Sequence, residues 1–214
     1  MKTWQLRWKE GRIGFHLPYV NPYLKKYSTK FLQKSPKSVF VPLCGKTLDM
    51  IWLAKRIKKV VGIELVSHAI EEFYNENNLS HSIFPFGKLK LFKNDSIDIF
   101  HGDFFKLTKE QTGLFQAIYD RASLIALGHK ERQRYVEHLM SFLASNGTLL
   151  LITLEYNQDQ MSGPPFSIPK KELETLFARY GKLELLETRD ILDERLRNKG
   201  LEKIIEQAYL LVKN

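Results

Sequence analysis

The residues of this 214-residue chain best placed to hold a ligand are a lone glycine bend and the acid that follows it. Val39-Phe40-Val41-Pro42-Leu43-Cys44-Gly45 reads as a strand running into a turn, and Val60-Val61-Gly62-Ile63-Glu64 as a second strand ending in a carboxylate. Between them Leu48, Ile51, Trp52 and Ile57 recur at helical spacing, and the basic cluster from Lys55 to Lys59 ends the helix. Gly45 carries no Cβ, so the backbone there can turn sharply and approach a ligand. Glu64 lies 19 residues beyond Gly45, close to the spacing of about 20 at which an acid in a βαβ unit accepts hydrogen bonds from ribose hydroxyls. The spacing admits an adenosine-type ligand lying across two parallel strand ends. It equally admits an ordinary βα turn followed by a solvated acid.

Two phosphate-binding motifs are excluded at this loop. Gly45-Lys46-Thr47 has the ending of G-x-x-x-x-G-K-[ST], but the first glycine of that motif would fall at Phe40. The dinucleotide pattern G-x-G-x-x-G fails because the turn has a single glycine. Elsewhere, Asp103 in Gly102-Asp103-Phe104-Phe105 follows a strand and can accept from an exocyclic amino group, or simply cap a turn. Asp120-Arg121 ends a further strand, where either a ligand group or a structural ion pair belongs. The six histidines show no metal-ligand spacing, Cys44 is the only cysteine, and no G-x-S-x-G elbow occurs. A metal centre, an internal disulfide and a serine-hydrolase triad are therefore not expected. Gly163-Pro164-Pro165-Phe166 has the look of the [DN]-P-P-[YF] motif of base-amino methyltransferases but follows the wrong strand, since Asp120-Arg121-Ala122-Ser123 stands where that motif belongs.

The elements that must position these residues are those of one α/β domain. Residues 1–35 form an aromatic-rich N-terminal segment, with Trp4, Trp8, Phe15 and Tyr19, in which Trp4 to His16 shows no regular period. It covers the core, or acts as a lid whose ring faces suit a sulfonium cation. Asn21-Pro22 starts a helix running to Leu32. Residues 36–214 read as a Rossmann-like core: repeating βα units, a nearly all-apolar strand over Thr148 to Glu155, a helix from Glu131 closed by Asn146-Gly147, and two final strands, Leu183 to Thr188 and Ile204 to Val212. The apolar fraction of 43% suits a globular protein, and no apolar run approaches the length of about 18 residues that crosses a membrane. A single cysteine and the absence of a secretion signal suggest a cytoplasmic protein. The net charge of +9 admits a nucleic-acid partner, but the lysines read as scattered and no arginine-rich helix accompanies them, so a solvated basic surface is expected instead.

Taken together, W-x(3)-W, I-G-F-H, V-N-P-Y-L, V-P-L-C-G-K-T-L-D-M, V-V-G-I-E, G-D-F-F, Y-D-R-A-S-L-I-A-L, G-P-P-F and Y-L-L resemble the bacterial branch of the thiopurine S-methyltransferase family, from Trp4 to about Leu211. The resemblance implies a class I methyltransferase fold, a seven-stranded mostly parallel sheet with helices on both faces and an antiparallel last strand, using S-adenosyl-L-methionine as cofactor. It implies Trp8, Leu43, Glu64, Asp103, Phe104 and Arg121 at the cofactor, Phe15 and Arg195 at the substrate, and Arg121 and Arg195 as the residues that orient and polarise the acceptor, with no metal. Phe166 is expected to stack on a flat ring beside Phe15. The expected acceptor is a small aromatic or heterocyclic thiol, with selenium or tellurium species as extensions, and the protein is expected to be monomeric. Two readings compete: a halide or thiol methyltransferase of the same superfamily, and a non-catalytic adenosyl-binding module.

Overall fold

The computed structural model describes residues 2–214; Met1, the first residue of the expected N-terminal segment, lies outside them. The chain divides into two compact units, Met1–Ala117 and Ile118–Asn214. The division falls inside a strand rather than in a linker, which is why no composition change marks it.

The first unit runs α1 (Lys2–Lys9), α2 (Pro22–Phe31), β1 (Ser38–Val41), α3 (Leu48–Ala54), β2 (Lys59–Glu64), α4 (Ser67–Glu76), β3 (Ser82–Phe86), β4 (Leu89–Lys93), β5 (Ile97–His101) and α5 (Lys109–Thr112). Its strand order is β3-β4-β5-β2-β1. β1, β2 and β5 are parallel, with Phe40 opposite Val61 and Glu64 opposite His101. β4 runs antiparallel to β5 and β3. The strand β6 (Phe115–Arg121) leads into the second unit, followed by α6 (His129–Ser141), β7 (Leu143–Tyr156), α7 (Lys170–Phe177), β8 (Leu183–Asp190), α8 (Glu194–Arg197) and β9 (Ile204–Val212). There β9 pairs antiparallel with both β7 and β8.

Three differences from the sequence reading have physical causes. Nine strands are present among the described residues rather than seven: the hairpin β3–β4 adds to one edge, and β3, exposed and containing Pro85, is an edge strand that lacks a clean alternation. Trp4 to Lys9 is helical although it has no long period, because Trp4 and Trp8 stand four residues apart and so share one face of α1. α6 stops at Ser141, and Asn146-Gly147 lies within the long strand β7, with Asn146 at φ 59°.

Buried polar groups brace the elements around the strand ends. Asn21 caps α2, its Oδ1 accepting from Tyr23 N–H (2.9 Å) and Leu24 N–H (3.3 Å), while its own N–H donates to Asp49 Oδ1 on α3 (2.7 Å). At the end of β6 the fully buried Asp120 accepts from Leu124 N–H through Oδ1 (3.2 Å) and from the Tyr135 hydroxyl through Oδ2 (2.8 Å). Those two bonds shape the turn that carries Arg121, in which Ala122 takes a φ of 62°.

Burial pushes the Asp120 carboxyl up to about 6 from 3.8, although Tyr135, Leu124 and Ser123 oppose the shift. The native state therefore holds this proton more tightly than the unfolded chain, so stability falls as pH rises from about 4 through about 6. The rise from 3.8 to about 6 corresponds to roughly 3 kcal/mol. Asp120→Asn should flatten that part of the stability curve, measured by urea denaturation at pH 4.5 and 6.5. Asn21→Ala should cost about 1–2 kcal/mol by loss of the helix cap, read as a lower urea midpoint at unchanged m-value.

Candidate functional site

The first unit gathers its ligand-capable groups at the ends of β1, β2 and β5. β1 gives way to Pro42-Leu43-Cys44-Gly45, a turn with Leu43 at φ 44° and Gly45 at φ 52°. A left-handed leucine costs energy that a glycine does not, so the loop is held in shape by its surroundings. One tie is backbone, Cys44 N–H to Ile63 O (3.0 Å). The other is Glu64, which is 7% exposed. Its Oε2 accepts from Gly45 N–H (2.9 Å) and its Oε1 from Val66 N–H (2.8 Å).

Those two bonds occupy one lone pair on each oxygen, and the carboxylate retains capacity to accept further. Burial raises the Glu64 carboxyl above its ordinary range, and the N–H groups of Val66, Gly45 and Leu65 pull it partly back. Trp8 closes the loop from outside: a Cβ placed on Gly45 would stand 3.2 Å from its ring. The indole also packs with Val66 and Ala69, and Phe15 meets both Trp8 and Trp4 edge to face at 5.7 and 5.8 Å. Beside this cluster lies a cleft of about 490 Å³, lined by Gln5, Trp8, Lys9, Val66, Ser67, His68 and His101. His101, which sequence reasoning passed over, faces it from β5 opposite Glu64, and burial lowers its pKa. The signal was available in principle, because parallel pairing of two strands puts their terminal residues side by side.

Asp103 caps the short turn Phe104–Lys106, its Oδ1 accepting from Phe105 N–H (3.0 Å). Phe104 is 3% exposed and stacks on Phe40 at 6.3 Å, so its ring belongs to the core beneath the turn. Cys44 is buried, and burial together with the nearby Glu64 charge raises its thiol pKa well above the ordinary value. The thiol stays protonated and is no nucleophile.

The second unit carries the remaining expected residues. Arg121 ends β6, half-buried, on the turn that Asp120 braces. Arg195 stands on α8 with an exposed side chain, 3.8 Å from Asp193. Phe166 rests on its own loop: a Cβ on Gly163 would lie 2.5 Å from the Phe166 ring. Sequence reasoning did not single out Arg132, a 3% exposed guanidinium on α6 that donates to Leu127 O, Glu172 Oε2 and Ser167 O.

Among the described residues no group of three or more His, Cys, Asp or Glu could hold a metal ion, and no helix is long and apolar enough to cross a membrane. A buried carboxylate with spare lone pairs beside a glycine turn, an indole over that turn and an adjoining cleft form a set that fits an adenosine moiety.

Known proteins were compared with the chain at the levels of sequence and fold. The arsenic(III) S-adenosylmethionine methyltransferase of Chlamydomonas reinhardtii superposes with a TM-score of 0.60 at 17% identity, covering 82% of this chain and 63% of that one. A SAM-dependent methyltransferase from Anabaena variabilis does so with a TM-score of 0.64 at 15% identity, covering 100% and 94%. These likenesses establish the α/β, Rossmann-like methyltransferase fold. Sequence relatives are nearer. A thiopurine S-methyltransferase of Pseudomonas fluorescens Pf-5 is 42% identical over 98% of this chain and 96% of its own, and one of Methylococcus capsulatus is 41% identical over 97% and 95%. The model of the family described as Thiopurine S-methyltransferase matches residues 1–214. By end-to-end agreement in sequence, the chain belongs to the thiopurine S-methyltransferase family.

Proposed function

We propose that this protein is an S-adenosyl-L-methionine-dependent methyltransferase that methylates the sulfur of small aromatic or heterocyclic thiols, with selenium or tellurium species as further acceptors. The observation that carries the reading is the Glu64 carboxylate, buried at the end of β2 and tied to the Gly45 turn with acceptor capacity to spare. Family membership supplies the reaction class. In this reading residues 1–214 act as one methyltransferase domain with 1–35 as its lid, and the protein works as a cytoplasmic monomer.

Glu64 accepts the ribose hydroxyls, the Leu43–Gly45 turn lies along the nucleoside, and Asp103 accepts from the adenine amino group above the floor that Phe104 provides. Trp8 closes the cofactor side of the lid, and the Trp4–Trp8–Phe15 cluster presents aromatic edges and faces that suit a sulfonium cation. When bound, the cofactor supplies an electrophilic methyl group whose departure leaves a neutral thioether. Arg121 reaches both cofactor and acceptor, Arg195 approaches the acceptor from α8, and Phe15 and Phe166 flank a flat ring. Two guanidinium groups favour the anionic thiolate, so the proton leaves for solvent before transfer and no dedicated general base is needed. The remaining acceleration comes from alignment, for which effective molarities of roughly 10^5 M and above are known.

The test is a panel of thiols, selenols and iodide assayed with labelled S-adenosyl-L-methionine. Methylation of heteroaromatic thiols ahead of iodide and hydrogen selenide supports the reading; cofactor binding without any turnover overturns it. Glu64→Gln should weaken S-adenosylhomocysteine binding about tenfold or more, because an amide must set a donor against one of the two N–H groups. Calorimetry measures this. Arg121→Ala should lower turnover about 100-fold, while Arg195→Ala should act more mildly, since it is exposed; steady-state kinetics separate the two.

A further inference from the structure

Arg132 is the most deeply buried cation among the described residues, and its bonds run to three different segments. Nε donates to Leu127 O (3.1 Å), at the end of the turn that begins with Arg121. Nη2 donates to Ser167 O (3.0 Å), the residue directly after Phe166. Nη1 pairs with Glu172 Oε2 (2.7 Å) in the first turn of α7, and the other oxygen of that carboxylate meets His129 Nδ1 (2.9 Å). One rigid fork thus spans the Arg121 turn, the Phe166 loop and the helix that follows.

The Phe166 loop is fastened at further points. Phe166 N–H donates to Ile125 O (2.7 Å), which lies inside the Arg121 turn. The Tyr156 hydroxyl donates to Pro165 O (2.6 Å). Ser167 Oγ closes onto Tyr156 O (2.7 Å) and accepts from its N–H (2.9 Å). With Gly163 directly beneath the ring, Phe166 has one covered face and little freedom to move.

We propose that Arg132, seconded by Tyr156, is a positioning residue that sets the gap between Arg121 and the Phe166 ring and so selects flat heteroaromatic acceptors over compact ones such as hydrosulfide. This rests on the acceptor reading given under Proposed function. A planar substrate fills a slot whose width depends on this frame, whereas hydrosulfide needs only the charge of Arg121 and an open path. Arg132 touches neither reactant; it acts by holding the two elements that do. A displacement of about 1 Å at a reacting centre is enough to cost orders of magnitude in rate, so the frame matters even though it is remote from the chemistry.

The experiment compares wild-type protein with Arg132→Lys and Tyr156→Phe, using mercaptopyridine and hydrosulfide as acceptors. Lysine keeps the charge but cannot reach Leu127, Glu172 and Ser167 together. The quantity read is the ratio of kcat/KM for the two acceptors, with S-adenosylhomocysteine affinity as a control for the cofactor side. Both variants should lower that ratio about tenfold or more, mainly through a raised KM for mercaptopyridine, at unchanged S-adenosylhomocysteine affinity. If Arg132→Lys does not fold, Tyr156→Phe decides, because it removes one hydroxyl and no charge. An equal loss with both acceptors, or an unchanged ratio, overturns the positioning role and leaves methyl transfer standing. Failure of the wild-type protein to methylate either acceptor overturns the acceptor reading itself, and the positioning role with it.

Discussion

The hydrogen bond from Gly45 N–H to the Glu64 carboxylate is the interaction on which the strand ends of the first unit depend. It joins the ends of two parallel strands through a side chain, fixes a turn that contains a left-handed leucine, and does so with a group that is itself short of solvent. An ionised carboxylate is costly to bury unless its lone pairs are used. The backbone N–H groups of Gly45 and Val66 each use one. The tie between the ends of β1 and β2 therefore rests on a single buried side chain.

The second unit follows a different design. Asp120 and Arg132 are each more buried than any residue proposed to meet a reactant there, and each satisfies its charge with neighbours rather than with ligand. Arg121, by contrast, is half-buried and emerges from the turn Asp120 braces. Buried charge does the shaping of this turn. Losing a partner from such a frame is expensive because the remaining charge stays buried, so the frame resists gradual loosening.

Legibility in the sequence followed the locality of each signal. The β1–turn–α3–β2 unit, the Asn21 cap and the antiparallel last strand could be read because alternation, capping residues and turn glycines act within a few positions. The edge strand β3 escaped, since Pro85 interrupts it and its exposed apolar residues show no alternation. α1 escaped because its apolar stripe is only two tryptophans long. Glu64 stood out by spacing and Asp103 by its place after a strand, where a turn cap was already one of its two readings; that Phe104 faces the core became visible only with the fold in hand. Arg132 carries no local mark at all: its partners lie at 127, 167 and 172, and only tertiary packing brings them together. The basic residues were read as scattered; between Arg12 and Ile63 acids are scarce, with the buried Asp49 as the single one of that stretch, a depletion that inspection of the lysines alone passes over.

The indole of Trp8 rests against the one glycine of the loop, close enough that a methyl group there would press on the ring. An emitting side chain built into the wall of a cleft makes its surroundings optically readable. Trp4 shares the Phe15 cluster with Trp8, whereas Trp52 sits under the Arg56 guanidinium on another helix, so two of the three indoles report on the loop and its cover and one does not.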